Sequence, residues 1–198
     1  MTAGFIDSRI KIMEKLNLAE LKKRLFNLLN QEALKRGNFV LSSGKVSNYY
    51  LDGRLITLSP QGAYLVANII LDMLKDEVLD AIGGPTLGAD PIAGALAALS
   101  YINGQPIKTF IVRKQAKEHG TLRQIEGPAL KNGSRVILVD DVATSGKAIL
   151  EAKQALDKIG VITDKAIVIV DRGEGAAENL AKVGVKLESI FKISDFSL

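Results

Sequence analysis

Asp140 and Asp141 stand side by side at the end of an aliphatic run, Val136 to Val139, and are followed at once by Val142, Ala143, Thr144, Ser145, Gly146, Lys147 and Ala148. Adjacent carboxylates repel one another and resist burial, so a core strand that ends on them requires a compensating ligand. The stretch from Thr144 to Ala148 lies where a strand turns into a helix. Backbone N–H groups and two hydroxyls can converge there on one anion, as in a phosphate cradle. Carboxylates just upstream are placed to accept hydrogen bonds from a sugar whose phosphate fills that turn. The plainer alternative is a helix N-cap at Thr144 or Ser145 beside two surface acids. The GxxxxGK[ST] spacing is absent, which disfavours nucleoside triphosphate hydrolysis.

A second group is cationic. Arg113, Lys114, Lys117, His119 and Arg123 gather around Gly120 with no apolar period, the pattern of a loop, and His119 is the only histidine in the chain. Cations on a closing loop would stabilise charge that develops on a departing anion; a solvated charged loop is the alternative. Tyr49 and Tyr50 form a third group. Neighbours on a strand point to opposite faces, so one tyrosine packs inward while the other covers a flat ring. Ordinary core and edge packing would use the same pair.

These groups need a framework to position them. Asn17 to Glu20 has capping-box spacing, and Leu18, Leu21, Leu25, Leu28 and Leu29 follow at helical period, with Gly37 as the expected stop. Residues 38–44 and 47–54 suggest two short strands around a turn at Ser43-Gly44, a hairpin-like flap. Ser59-Pro60 opens a helix carrying Leu65, Val66, Ile69, Ile70 and Met73. Strands are then expected at 79–84, 107–112, 135–140, 165–171 and near 187–193, alternating with helices from Asp90-Pro91, over about 145–159 and over 176–182. The strands are continuous apolar runs, as in a parallel sheet covered on both faces. The expected fold class is therefore α/β: a central, mostly parallel sheet flanked by helices, with a small N-terminal flap or hood. Ligands of such sheets bind beyond the carboxyl ends of the strands, where the acid pair, the basic loop, residues 83–91 and residues 171–176 all fall. A single domain over 1–198 is expected, with residues 1–16 an N-terminal arm and about 17–58 the first helix and the flap.

Composition narrows the classes further. The chain has 198 residues, 47% hydrophobic and 24% charged, enough for a substantial core. It has no cysteine, which excludes disulfides, thiolate metal sites and thiol nucleophiles. The net charge of +4 comes from scattered residues and suits anionic small molecules better than nucleic acid. No apolar run reaches membrane-spanning length and the N-terminus lacks a secretory pattern, so a cytoplasmic location is expected.

Val136 to Ala148 resembles the phosphoribosyl diphosphate signature of the type I phosphoribosyltransferases. Arg113-Lys114, Lys117 and His119-Gly120 look like the catalytic loop of the orotate phosphoribosyltransferase family. Ser43-Gly44 and Ser47 to Tyr50 match the segment that this family folds over the pyrimidine, and Asp171 to Glu174 match its DRxE turn. The resemblance implies a type I phosphoribosyltransferase fold and transfer of phosphoribosyl from its diphosphate to orotate, yielding orotidine 5'-monophosphate and pyrophosphate in pyrimidine synthesis. It implies catalytic roles for Arg113, Lys114, Lys117, His119, Asp140 and Asp141. Residues Asp140 to Ala148 would bind phosphoribosyl diphosphate, and Thr144, Arg172, Tyr49 and Tyr50 would bind orotate. A guanidinium at Arg172 suits a planar, oxygen-rich anion better than a purine. Mg2+ is implied as cofactor, held mainly through substrate and water, with Asp140 or Asp141 as candidate ligands. A homodimer that shares the basic loop across its interface is also implied, with no nucleic-acid or membrane partner. With no decarboxylase domain following, one reaction step is expected. Some orotate enzymes carry lysines where this chain has Ser42 and Leu87-Gly88. The rival readings are a transferase for another base and a non-catalytic sensor of phosphoribosyl diphosphate.

Overall fold

The computed structural model describes residues 16–40, 46–114 and 124–198. Helix α1 spans Leu18–Leu28, and the side chain of Asn17 accepts the Glu20 N–H at 2.9 Å as its N-cap. The Glu20 carboxylate turns away from a reciprocal box and accepts from Arg24 instead. The helix does not run on to Gly37. It widens into a π turn over Leu29–Ala33, and the extended strand β1 already occupies Leu34–Val40. Helical period alone could not reveal this end, because Leu34 is buried as a strand residue opposite Leu51.

Strand β2 (Val46–Leu51) pairs antiparallel with β1, placing Tyr49 opposite Arg36, and the two form the expected hood. A short helix α2 (Arg54–Thr57), unforeseen in the sequence, turns the chain back toward the sheet. Helix α3 (Pro60–Met73) follows, with Ser59 accepting the Gly62 N–H at 3.0 Å and proline in its first turn. The remaining elements are β3 (Ala81–Pro85), α4 (Ala89–Ile102), β4 (Lys108–Val112), β5 (Ile125–Glu126) and β6 (Arg135–Ala143). They continue with α5 (Lys147–Asp157), β7 (Ile162–Asp171), α6 (Ala176–Ala181) and β8 (Lys186–Lys192).

The main sheet has the order β5-β4-β3-β6-β7-β8, and every neighbouring pair is parallel except β4 with β5. Alternate residues of its strands feed two cores. Ile82, Ile137, Val139, Ile167 and Ile169 pack with α1, α3 and α4, while Val136, Leu138, Ala166 and Val168 pack with α5 and α6. This two-sided burial is why the strands read as unbroken apolar runs. After β3 the chain builds outward on one side of the sheet, and with β6 it returns to build on the other. The switch point therefore lies between β3 and β6, where ligands of open α/β sheets bind. No helix among the described residues is long and apolar enough to cross a membrane.

Candidate active site

Beyond the carboxyl ends of β3 and β6 lies an open cavity of about 520 Å³, lined by residues from the hood, α2, the turn after β3 and the end of β6. A smaller cavity of about 190 Å³ adjoins it, formed by Asp140 and residues 142–149. The two share Asp140, Val142, Thr144 and Ala148, so one elongated ligand can occupy both.

At the junction sits the acid pair. Asp140 is buried and Asp141 half-buried. The Asp141 N–H donates to Asp140 Oδ1 at 3.0 Å, and the Val142 N–H donates to Asp141 Oδ1 at 2.8 Å. Burial, compounded by the charge of Asp141, holds the Asp140 carboxyl well above the ordinary carboxylate range. Burial also raises Asp141, against the hydrogen bond from Val142 and the nearby charge of Arg54. No salt bridge relieves either carboxyl among the described residues.

The backbone crowds this pair through two glycines, Gly88, which the sequence marks only as standing in place of a lysine, and Gly53, which it does not single out. A Cβ on Gly88 would lie 2.0 Å from Asp140 Oδ1 and 2.5 Å from Asp141 Oδ1; one on Gly53 would lie 2.8 Å from Asp141 Cβ. Gly88 has ordinary helical dihedrals, so close approach and not backbone conformation requires the missing side chain there. Any residue bearing a side chain at this position, lysine included, would need a displaced turn. The Thr86–Leu87 peptide just before it is cis.

The smaller cavity falls on the turn where the sequence suggests a phosphate cradle. Gly146, at φ +77°, is the N-cap of α5 and no side chain caps the helix. The alternative of Thr144 or Ser145 as N-cap therefore fails. The first-turn N–H groups of α5 carry no side-chain acceptor, and they face a pocket that Thr144, Ser145 and Lys147 also line. Lys147 is exposed and approaches Glu151 at 3.8 Å.

Arg172 closes the other end. Its Nε donates to Tyr49 Oη at 2.9 Å, its guanidinium lies 4.8 Å from the centre of the Tyr49 ring, and Nη2 meets Glu174 at 2.8 Å. Its own N–H donates to the Ala143 carbonyl at 2.9 Å, which ties the turn after β7 to the end of β6. Tyr49 is buried in the core, whereas Tyr50 faces the cavity and packs 5.8 Å from Phe39. The strand alternation thus separates the two tyrosines as expected.

Of the basic group, Lys114 lines the cavity. Arg113 sits at the edge of β4, where its N–H donates to the Gln124 carbonyl at 2.9 Å and Nη1 approaches Glu126 at 3.3 Å. Lys117, His119 and Arg123 lie outside the described residues, as do Ser42, Ser43, Gly44 and residues 1–15.

A model described as a phosphoribosyl transferase domain matches residues 58–198. The orotate phosphoribosyltransferase of Nostoc sp. is 43% identical over 179 residues, 90% of this chain and 86% of that one. The chain belongs to the orotate phosphoribosyltransferase family. Family likeness extends to tertiary structure. A crystal structure of Mycobacterium tuberculosis H37Rv orotate phosphoribosyltransferase, in complex with Fe(III) dicitrate, superposes with a TM-score of 0.79 at 35% identity, covering 90% of this chain and 99% of that one. The same enzyme in complex with 5-phospho-alpha-D-ribosyl 1-diphosphate superposes with a TM-score of 0.74 at 32% identity, over 88% and 98% of the two chains. The fold is that of the type I phosphoribosyltransferases, as the sequence resemblance implies. Among the residues lining the main cavity, the sequence did not single out Asp52, Gly53 and Arg54. Their signal in the sequence is the Asp52-Gly53-Arg54 triplet that directly follows β2.

Proposed function

We propose that the chain catalyses transfer of the 5-phosphoribosyl group from phosphoribosyl diphosphate to orotate, with release of pyrophosphate and formation of orotidine 5'-monophosphate in pyrimidine synthesis. The observation that carries this reading is the continuity of the two cavities through the acid pair, with an uncapped helix start at one end and the Tyr49-braced Arg172 at the other. A phosphate, a ribose and a planar anionic base need that order of partners.

In this reading residues 144–148 hold the 5'-phosphate, and Asp140 and Asp141 accept hydrogen bonds from the ribose hydroxyls. Arg172, Thr144 and the face of Tyr50 hold orotate, and Tyr49, buried rather than lining the cavity, acts through its brace on Arg172. The bond from the anomeric carbon to the diphosphate oxygen breaks, its electron pair leaving with pyrophosphate, as the bond to the orotate ring nitrogen forms and that nitrogen gives up its proton to pyrophosphate or solvent. Arg113, Lys114, Lys117 and His119 stabilise the charge that collects on the departing diphosphate. Carboxylates held in reserve beside a cationic anomeric carbon also favour its oxocarbenium character. No protein nucleophile is needed.

The donor set suits Mg2+ held chiefly by substrate and water. The described residues include no group of three or more His, Cys, Asp or Glu side chains that could cage a metal, and of the carboxylates lining the cavity Asp52 is taken by Arg54, which leaves the acid pair. When bound, Mg2+ supplies charge neutralisation on the diphosphate. We further propose that residues 1–198 form one domain, that the enzyme is a cytoplasmic homodimer, and that the basic loop serves the partner's site.

The test is the fall in orotate absorbance on mixing protein, orotate, phosphoribosyl diphosphate and Mg2+, with stoichiometric pyrophosphate. Retained binding of phosphoribosyl diphosphate without turnover would replace the reading with a sensor. Turnover with adenine or hypoxanthine in place of orotate would replace it with another base specificity.

A further inference from the structure

Arg54, at the start of α2, lines the main cavity on the hood side together with Asp141, Gly88 and Lys114. Its guanidinium is held in one orientation. Nε donates to Asp52 Oδ1 at 2.9 Å and Nη2 donates to Asp52 Oδ2 at 3.0 Å, while the Arg54 N–H donates to Oδ1 at 3.1 Å. Asp52 is itself anchored, its N–H donating to the Ala33 carbonyl at 3.2 Å. Gly53, between the two, packs directly on the Asp141 side chain.

A guanidinium has five N–H donors, and Asp52 takes two of them. Three remain, in a planar fork on a side chain that is 45% exposed. An exposed ion pair of this kind contributes little to stability, so holding an arginine in this way has its main consequence for what the free donors meet.

The charges on the cavity wall are balanced in number, so the placement of each cation decides what it meets. The positive side chains that line the described cavity are Arg54, Lys114 and Arg172, set against Asp52, Asp140 and Asp141. Arg172 is already engaged by Tyr49 and Glu174. Two positions that carry lysine in some family members hold Ser42 and Gly88 here, and the Gly88 backbone leaves no room for a side chain.

We infer that Arg54 is a substrate-binding residue of this site, oriented by Asp52 so that its free donors receive the diphosphate of phosphoribosyl diphosphate. The inference rests on the functional reading above. With the ribose hydroxyls on the acid pair, the anomeric diphosphate falls beside the wall made by Arg54 and the turn from Thr86 to Gly88. Tetrahedral phosphate oxygens match a guanidinium fork, which lysine imitates only as a point charge.

The experiment compares two ligands that differ in the diphosphate. Calorimetric titrations use phosphoribosyl diphosphate and orotidine 5'-monophosphate with wild type, Arg54→Gln, Arg54→Lys and Asp52→Asn, with thermal melting as a check on folding. Arg54→Gln is expected to raise the dissociation constant of phosphoribosyl diphosphate at least about tenfold while orotidine 5'-monophosphate stays within about twofold. Arg54→Lys should recover part of the loss. Asp52→Asn, which loosens the fork and leaves the positive charge of Arg54 in place, should give an intermediate loss. Should Arg54→Gln not fold, Arg54→Lys must still weaken the diphosphate ligand more than the monophosphate. Equal weakening of both ligands, or no change in either, overturns the inference and leaves the functional reading intact. A wild-type protein that binds neither ligand overturns the functional reading and the inference with it.

Discussion

Arg172 and Tyr49, separated by 123 positions in the chain, meet through a hydrogen bond of 2.9 Å from Nε to the phenolic oxygen. The bond joins the hood to the turn after β7, so the covering element and the proposed base-reading cation are set by one contact. Tyr49→Phe keeps the ring under the guanidinium and removes only this acceptor. The expected cost is about 1.5 kcal/mol, at the low end for a hydrogen bond to a charged group. It should appear mainly as a raised KM for orotate, with the dissociation constant of phosphoribosyl diphosphate unchanged. Arg172→Ala should weaken orotate binding by about 2 to 5 kcal/mol. Steady-state kinetics with each substrate varied in turn checks both variants, and equal weakening of the two substrates would show Arg172 to be a general support of the site.

The proposed role of the acid pair predicts opposite effects on activity and stability. Its carboxyls hold protons more tightly in the folded chain than at the ordinary value of 3.8. Above 3.8 the folded state therefore binds more protons than the unfolded state, and stability falls as pH rises until the raised values are passed. Asp140→Asn combined with Asp141→Asn removes that fall. Urea unfolding in a chelator should show the double variant more stable than wild type at pH 7 by about 1 kcal/mol or more, with the difference closing toward pH 4. Turnover of the same variant should drop at least about a thousandfold, ~4 kcal/mol in the barrier. Activity within about tenfold of wild type would contradict the assigned role.

Gly88 tests the close approach. Its missing side chain leaves the backbone beside Asp140 Oδ1, and a methyl group there must push the carboxylates or the turn aside. Gly88→Ala should cost about 1 to 3 kcal/mol of stability, as overpacking does, and lower kcat/KM at least about tenfold. Gly94→Ala is the control, since a Cβ at that helical position meets nothing within 4 Å. Thermal melting and kinetics of the two variants should diverge.

Sharing of the basic loop predicts complementation between inactive subunits. One variant carries Lys117→Ala and His119→Ala, the other Asp140→Asn and Asp141→Asn. If the loop serves the neighbouring site, each mixed dimer holds one site with both halves intact. Random exchange then restores about a quarter of wild-type activity. If the loop serves its own subunit, every site keeps a lesion. Mass measurement that proves mixed dimers, together with activity no higher than that of the parents, rules out the shared site.

Much of this architecture was legible along the chain because it depends on local chemistry. Asn17 and Ser59 cap helices through residues three positions on, and β6 and β7 declare themselves as aliphatic runs because both faces are covered. The turn proposed to hold phosphate could also be picked out locally, since the acid pair, the hydroxyls and Gly146 lie within a few residues of each other. Tertiary structure decided the rest. Helical period carried the first helix too far, because the change from α1 to β1 answers to Leu34 packing opposite Leu51 and to no local breaker. The two residues of β5 carry too little pattern to read, and they are strand only because β4 pairs with them. Arg172 meeting Tyr49, Gly53 and Gly88 pressing on the acids, and Arg54 reaching the cavity all join segments far apart in sequence. The residue types on one strand–turn–helix segment determined what kind of ligand it could hold. Which distant side chains close around that ligand depends on how the hood and the turns pack over the switch point between β3 and β6, a geometry that no local pattern encodes.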